Sequence, residues 1–183
     1  FQSALYTSKE VDTKVPVDKL YNIVNKTMCT INDERINSNK FMTQNFFIEN
    51  NGKFIHSGSH EIALLYRKEA DEIVELDDLT KKTAYLGMSK YIDASSSLGE
   101  FSVNSGDVLL LYTDGVIEAR DLYSRQFGIE RLKEVFYERR HESSENIINA
   151  VVEKVNKFAE SGDLKTHQGN LADDITMVVM KKK

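Results

Sequence analysis

The chain has 183 residues, of which 40% are hydrophobic and 29% are charged, and its formal net charge is −5. This length allows one domain with a full core, and the acidic balance argues against nucleic acid as the main partner, because phosphate binding requires a basic surface. No signal peptide is visible and no apolar run approaches the ~20 residues that span a bilayer, so we expect a soluble protein.

A helix is predicted directly after Pro16, in the run VDKLYNIVNKTMCTI. Five of its residues recur at the spacing of one helical face: Leu20, Ile23, Val24, Thr27 and Met28. Cys29 lies beside that face, so we expect a packed structural thiol rather than a reactive one. As the only cysteine it cannot form an internal disulfide, which favours a reducing cytoplasm.

From Phe41 the pattern becomes typical of strands. The runs KFMTQNFFIE and KFIHSG flank an Asn-Asn-Gly sequence at residues 50–52. An Asn-Gly pair between two β-rich runs predicts a hairpin, because both turn residues tolerate positive φ.

Two further strands are predicted over residues 62–67 and 72–76, with a corner over residues 58–61. His60 in that corner has no cysteine nearby, so a packed or surface histidine is favoured over a ligand or an acid–base group. Residues 81–100 form a poorly patterned connection.

The run from Asp107 to Tyr112 contains five consecutive apolar residues. It is too short for an independent helix and predicts a strand buried on both faces. The strand ends at Thr113-Asp114-Gly115, where glycine allows a turn without a Cβ clash. Asp114 is therefore held at a rigid sheet end, where a carboxylate serves either chemistry or an ordinary Asp-Gly turn.

Two helices are predicted after this strand. The first follows Phe127-Gly128, and its apolar face consists of Ile129, Leu132, Val135 and Phe136. Ser143 and Ser144 are candidate N-caps for the second helix. Its apolar stripe consists of Ile147, Ile148, Val151, Val152, Val155 and Phe158.

After a polar loop over residues 161–170, the β-rich run ADDITMVVM begins with Ala172 and the two aspartates Asp173 and Asp174. Helices occur in clusters rather than alternating with strands. The sequence therefore predicts an α+β class with a mainly antiparallel sheet. No linker divides the chain, so we expect a single domain over residues 1–183.

Asp114 ends one predicted buried strand and Asp173 begins another. If these strands are antiparallel neighbours, the two residues lie at one sheet edge. Two carboxylates ~5 Å apart repel by about 3 kcal/mol at an effective dielectric near 20. A shared proton, a basic residue or a divalent cation offsets that repulsion, and oxygen-only ligands favour Mg²⁺ or Mn²⁺.

Three ordered motifs, GDVLLLYTDGVIEAR, QFGIERL and ADDITMVV, resemble the C-terminal two-thirds of the metal-dependent (PPM, type 2C-like) serine/threonine protein phosphatases. The bacterial branch of stage II sporulation protein E and the sigma-factor regulators is the most similar. FIHSGSHEIALLYR resembles the strand pair of that branch around an Ala-Gly-His corner, although Ser59 replaces the usual glycine. The resemblance covers residues 54–180 and implies an α-β-β-α sandwich of two antiparallel sheets with outer helices.

The resemblance implies that Asp114 and Asp173 are catalytic metal ligands, with Asp174 as a weaker candidate ligand. The implied reaction is the hydrolysis of phosphoserine or phosphothreonine by a water that bridges two Mn²⁺ or Mg²⁺ ions, without a phosphoenzyme. The implied substrates are phosphorylated anti-sigma-factor antagonists, and a sensory domain usually precedes the phosphatase.

The chain departs from the family in its N-terminal part, where the motif that supplies the metal-bridging aspartate has no counterpart. Asp12 and Asp18 stand in the wrong context, and the first residue is Phe1 rather than Met. We expect an N-terminally incomplete domain that binds Mn²⁺ poorly and has little activity alone. Missing strands would leave an exposed sheet edge, which favours a homodimer.

Two other interpretations stay open. One is a pseudo-phosphatase that serves as a binding or regulatory module without productive metals. The other is an α+β domain whose aspartates only shape turns. Glu118, Arg120 and Asp121 follow the turn at Asp114 and either border the substrate or are solvated loop charges.

Overall fold

Two antiparallel sheets and four helices make up the part of the chain that the computed structural model describes. That part comprises residues 16–33, 40–50, 52–76, 85–92, 98–161 and 173–182. The chain divides into two compact units. The first unit contains residues 1–60 and 76–103, and the second contains residues 61–75 and 104–183. A single domain over residues 1–183 stays a prediction.

The first unit contains helix α1 (Val17–Ile31) and a three-stranded antiparallel sheet. The strands are β1 (Gln44–Asn50), β2 (Lys53–Ser59) and β5 (Gly99–Ser102), in the order β1-β2-β5. The predicted hairpin is confirmed, since Asn50 pairs with Lys53 and Gly52 has a φ of 82°. Sequence reasoning missed β5, which lies in the region predicted to be a poorly patterned connection.

The buried face of α1 differs from the predicted face. Its buried residues are Val17, Tyr21, Asn25 and Cys29, while Leu20, Val24 and Met28 are partly buried. Ile23, which the pattern placed on the same face as Leu20 and Val24, is 58% exposed. The buried face differs because it includes Asn25, a polar residue. The Asn25 side-chain amide donates a hydrogen bond to the Ser89 carbonyl and accepts one from the Gly87 N–H. Cys29 is buried as predicted, and burial raises the pKa of its thiol.

The second unit contains a four-stranded antiparallel sheet in the order β4-β3-β6-β7. Its strands are β3 (Leu64–Arg67), β4 (Glu72–Glu75), β6 (Val108–Tyr112) and β7 (Met177–Lys181). All five residues of β6 are buried, as the apolar run predicted, because β6 lies between β3 and β7. This central strand fixes the position of whatever follows Tyr112.

Three helices accompany this sheet: the single-turn α2 (Asp114–Ile117), α3 (Gly128–Arg139) and α4 (Ser144–Ala159). The predicted core faces of α3 and α4 pack into one cluster with β3 and β6, except that Ile148 and Val152 of the predicted α4 stripe lie outside the cluster. Ser143 is the N-cap of α4, since its hydroxyl accepts the Asn146 N–H at 3.2 Å. Most of the predicted loop over residues 161–170 lies outside the described residues.

A buried carboxylate holds the start of β6. Asp107 is 2% exposed and accepts hydrogen bonds from the main-chain N–H groups of Lys68 and Asn104, both at 2.9 Å, and from Arg67 at 3.0 Å. Burial raises the pKa of Asp107, but these donors outweigh burial and lower it below its usual value. β6 is therefore anchored before its apolar residues begin.

These elements confirm the predicted α+β class with antiparallel sheets. Among the described helices, none has both the length and the apolar character that crossing a membrane requires.

Candidate metal centre

The end of β6 and the approach to β7 meet at one edge of the second sheet. The two strands are antiparallel neighbours, and Tyr112, the last residue of β6, pairs with Met177, the first residue of β7. The main chain after Tyr112 therefore lies beside the main chain before Met177. This is the juxtaposition predicted from the sequence.

Thr113 joins the two segments through three hydrogen bonds. Its main-chain N–H donates to the Thr176 carbonyl at 3.1 Å, and its hydroxyl donates to the Asp174 carbonyl at 3.1 Å. The same hydroxyl accepts the Thr176 N–H at 3.0 Å. Thr113 is only 3% exposed, so these bonds are shielded from water. Sequence reasoning treated Thr113 as part of a turn and missed this positioning role.

Gly115 allows the two segments to approach each other closely. A Cβ atom at this position would lie 2.6 Å from the Asp174 carbonyl oxygen and 2.9 Å from the Asp173 carbonyl oxygen. Both atoms belong to the main chain and cannot rotate away. The glycine is therefore required by packing against residues 173–174, which is a stricter reason than the turn predicted from the sequence.

The three candidate ligands lie on these two segments, with two differences from the prediction. Asp114 is the first residue of α2 rather than the end of a strand, and Asp173 precedes the first residue of β7 by four positions. Asp114 is half-buried, and its Oδ1 accepts the Gly115 N–H at 3.0 Å. Asp173 and Asp174 are exposed, and Oδ1 of Asp173 accepts the Asp174 N–H at 2.7 Å.

The donor chemistry of this edge suits a hard divalent cation, since its carboxylate and carbonyl groups offer only oxygen. In the described part of the chain, however, no three His, Cys, Asp or Glu side chains form a group that could hold a metal ion. The aspartates therefore fit Mn²⁺ or Mg²⁺ as part of a ligand set, not as a complete one.

Tyr112 borders this edge but is not a candidate base. Its hydroxyl is buried without a hydrogen-bond partner among the described residues. Burial, with the carboxylates of Glu61 and Glu75, raises the pKa of Tyr112, so its phenol stays protonated at neutral pH.

The charged residues after α2 differ in their surroundings. Asp121 is 3% exposed, so the interpretation as a solvated loop charge was wrong for this residue. Glu118 and Arg120 are exposed. His60 lies in the first unit, and its Nδ1 is hydrogen-bonded to the Thr43 hydroxyl at 2.9 Å, which agrees with a packed histidine.

The comparisons with known proteins concern the family and the fold of the chain. The family model of stage II sporulation protein E (SpoIIE) matches residues 4–183. The SiaA-PP2C domain of Pseudomonas aeruginosa has a TM-score of 0.65 at 16% identity, covering 88% of this chain and 60% of that chain. A comparison with curated proteins gave no match.

Two further solved structures are similar. The phosphatase domain of the cell fate determinant SpoIIE from Bacillus subtilis, presoaked with manganese, has a TM-score of 0.56 at 15% identity, covering 98% of this chain and 76% of that chain. The RsbU and RsbW domains of a Mycobacterium tuberculosis protein have a TM-score of 0.62 at 16% identity, covering 93% of this chain and 43% of that chain. These likenesses show the fold, and the chain spans less than two-thirds of the SiaA-PP2C domain.

Proposed function

Because the chain belongs to the stage II sporulation protein E family, we propose that it is a serine/threonine phosphatase domain that removes phosphate from a phosphorylated protein in signalling. The observation that carries the proposal is the edge formed by β6 and β7, where Gly115 packs against the main chain of Asp173 and Asp174. Asp114 directly precedes that contact, so aspartates from two distant parts of the chain lie on main-chain segments that meet at this edge.

Asp114 and Asp173 are the proposed metal ligands, and Asp174 is the alternative to Asp173. The proposed cofactors are two Mn²⁺ or Mg²⁺ ions in the intact domain, in keeping with the manganese presoak of the B. subtilis domain. Such ions supply an activated water and neutralise the charge of the phosphoryl group. Thr113 holds the main chain of Asp174 in place. The buried strand β6 ends two residues before Asp114 and fixes the start of α2, where Asp114 lies.

The proposed substrate is a phosphorylated anti-sigma-factor antagonist, and an upstream sensory domain is the proposed source of regulation. The likeness to a protein with RsbU and RsbW domains supports the proposed class of substrate. The sensory domain is proposed from the resemblance of the sequence motifs alone. A cytoplasmic location and a homodimer complete the proposal.

Turnover of a phosphoserine peptide in the presence of Mn²⁺ tests this function. Asp114→Asn is expected to lower the rate at least ~100-fold. Loss of a metal ligand should reduce activity at least as much as loss of a residue that only orients a ligand. Asp33→Asn, the same change at an exposed residue in the first unit, is the control and should keep the wild-type rate. Equal rates for wild type and Asp114→Asn would contradict the proposal. The wild-type rate itself is expected to be slow, because the aspartates of this edge are only part of a ligand set.

The second candidate function is a pseudo-phosphatase that binds its partner without hydrolysis. It is favoured by the finding that no three metal-ligating side chains form a group within the described residues. Binding of the phosphoserine peptide without Mn²⁺-dependent release of phosphate would support this alternative.

A further inference from the structure

A closed turn over residues 119–127, here called the arginine turn, follows α2 directly. Its two ends are joined by the Phe127 N–H, which donates to the Ala119 carbonyl at 2.8 Å, and by an antiparallel bridge between Arg120 and Gln126. The Leu122 N–H donates to the Ser161 carbonyl at 3.1 Å, just beyond the end of α4. The arginine turn is thus fixed where its two ends meet and at Leu122.

A buried carboxylate fixes the inside of the arginine turn. The Asp121 side chain is fully buried and accepts the main-chain N–H groups of Tyr123 at 2.9 Å and Arg125 at 2.8 Å. It also accepts Nε of Arg125 at 2.7 Å. Burial raises the pKa of Asp121, but these donors outweigh burial and lower it, so the carboxylate is ionised at neutral pH. The turn is therefore held in one conformation before any partner binds.

The outer surface of the arginine turn is basic and aromatic. Arg120 is exposed, and its Nη1 donates to the Ser124 carbonyl at 3.0 Å. The Arg125 side chain is 64% exposed and its guanidinium lies 5.2 Å from the ring centre of Tyr123, which is 60% exposed. Arg131 lies next to the turn and donates to the Gln126 carbonyl at 3.3 Å.

The charge of Arg125 is paired with Asp121, whereas the Arg120 guanidinium donates to a carbonyl and keeps its charge for a partner. Glu118 and Glu130 are the exposed acidic residues on either side of the arginine turn. Guanidinium groups bind carboxylates in a two-pronged geometry, and prior ordering by the protein reduces the entropy lost on binding.

The arginine turn lies within reach of a substrate bound at Asp114. The Glu118 N–H donates to the Asp114 carbonyl at 2.8 Å, so the chain first makes one helical turn, and Arg120 follows two residues later. Four helical and two extended residues span about 13 Å at most, which is roughly the length of four extended residues of a peptide.

We propose that the arginine turn is a substrate-docking surface whose arginines bind acidic side chains about four residues away from the phosphorylated residue. The inference rests on the proposed function, because it places the phosphorylated residue at Asp114. It adds to that function a preference for phosphoproteins with acidic residues on one side of the phosphorylation site.

Two fluorescent phosphoserine peptides test the preference by fluorescence anisotropy in the presence of Mn²⁺. One carries glutamates three to five residues from the phosphoserine on both sides, and the other carries glutamines there. The wild-type protein is expected to bind the glutamate peptide about tenfold more tightly, as one charge-assisted contact allows. In Arg120→Gln this ratio should fall to about twofold.

Arg139→Gln removes the same charge from an exposed residue at the end of α3 and is the matched control; it should keep the tenfold ratio. An unchanged ratio in Arg120→Gln, or no preference in the wild type, would overturn the inference.

Mn²⁺-dependent hydrolysis of p-nitrophenyl phosphate by the wild type separates the two proposals. This ester has no flanking residues. If the wild type hydrolysed it but showed no preference between the two peptides, the docking surface would be contradicted and the proposed function would stand. A tenfold preference that Arg120→Gln abolishes supports the docking surface even if the ester is not hydrolysed.

Discussion

Gly115→Ala is expected to lower the free energy of unfolding by about 3 kcal/mol and to weaken Mn²⁺ binding in the same protein. The new methyl group would lie 2.6 Å from the Asp174 carbonyl oxygen, so the main chain over residues 173–174 must move away from α2. That movement stretches the bond from the Thr113 hydroxyl to Asp174. Urea unfolding and Mn²⁺ titration by calorimetry measure the two effects.

Gly128→Ala is the matched control. Gly128 has a φ of 77°, but a Cβ atom there meets nothing within 4 Å. Its substitution therefore costs only the backbone strain, of the order of 1–2 kcal/mol, and should leave Mn²⁺ binding unchanged. If Gly115→Ala bound Mn²⁺ as tightly as Gly128→Ala, the close approach would have no role in the site.

Acidification is expected to destabilise the first unit through His56. This histidine is 4% exposed, its Nε2 is hydrogen-bonded to Oδ1 of Asn45 at 2.9 Å, and burial lowers its pKa from 6.5 to about 4. In the unfolded chain the imidazole is protonated below about pH 6.5, whereas in the fold it stays neutral down to about pH 4. Stability is therefore complete above about pH 6.5 and falls as the pH is lowered.

The expected loss is about 2 kcal/mol at pH 5 and approaches about 3.4 kcal/mol below pH 4, at about 1.36 kcal/mol for each pH unit between the two pKa values. Urea unfolding at about pH 7.5 and pH 5 measures it, and His56→Gln should remove most of the difference. Phe101→Leu, a change at a buried residue of the same sheet that does not titrate, should reduce stability equally at both pH values. A wild-type difference retained in His56→Gln would assign the acid sensitivity to other groups.

Elements with a strong local pattern could be predicted from the sequence. The hairpin follows from one Asn-Gly pair, β6 from an unbroken apolar run, and the helices α3 and α4 from apolar residues at helical spacing. The features that could not be predicted are short or depend on residues far away in the sequence. β5 has four residues that pair with β2, which lies far earlier in the chain. Asn25 is buried only because its amide reaches Gly87 and Ser89.

The candidate site likewise has features that the sequence predicts and features that it does not. The meeting of Asp114 with the segment before β7 could be predicted, because two apolar runs ending and beginning in aspartates suggest antiparallel neighbours. The contacts that hold these two segments together could not be predicted from the sequence. Thr113 bonds residues 61 and 63 positions away, and Gly115 is required by carbonyl groups that only the folded chain brings near. The buried His56 gave no signal, since nothing in its local sequence indicates burial.

Asp114 and Asp173 are proposed to hold a divalent cation at the edge formed by β6 and β7. Calorimetric titration of Mn²⁺ into wild type, Asp114→Asn, Asp173→Asn and Asp174→Asn tests this proposal. We predict a Kd at least about tenfold higher for the first two variants than for wild type, with a smaller change for Asp174→Asn. Wild-type affinity in both Asp114→Asn and Asp173→Asn would contradict the claim and leave these aspartates as turn residues.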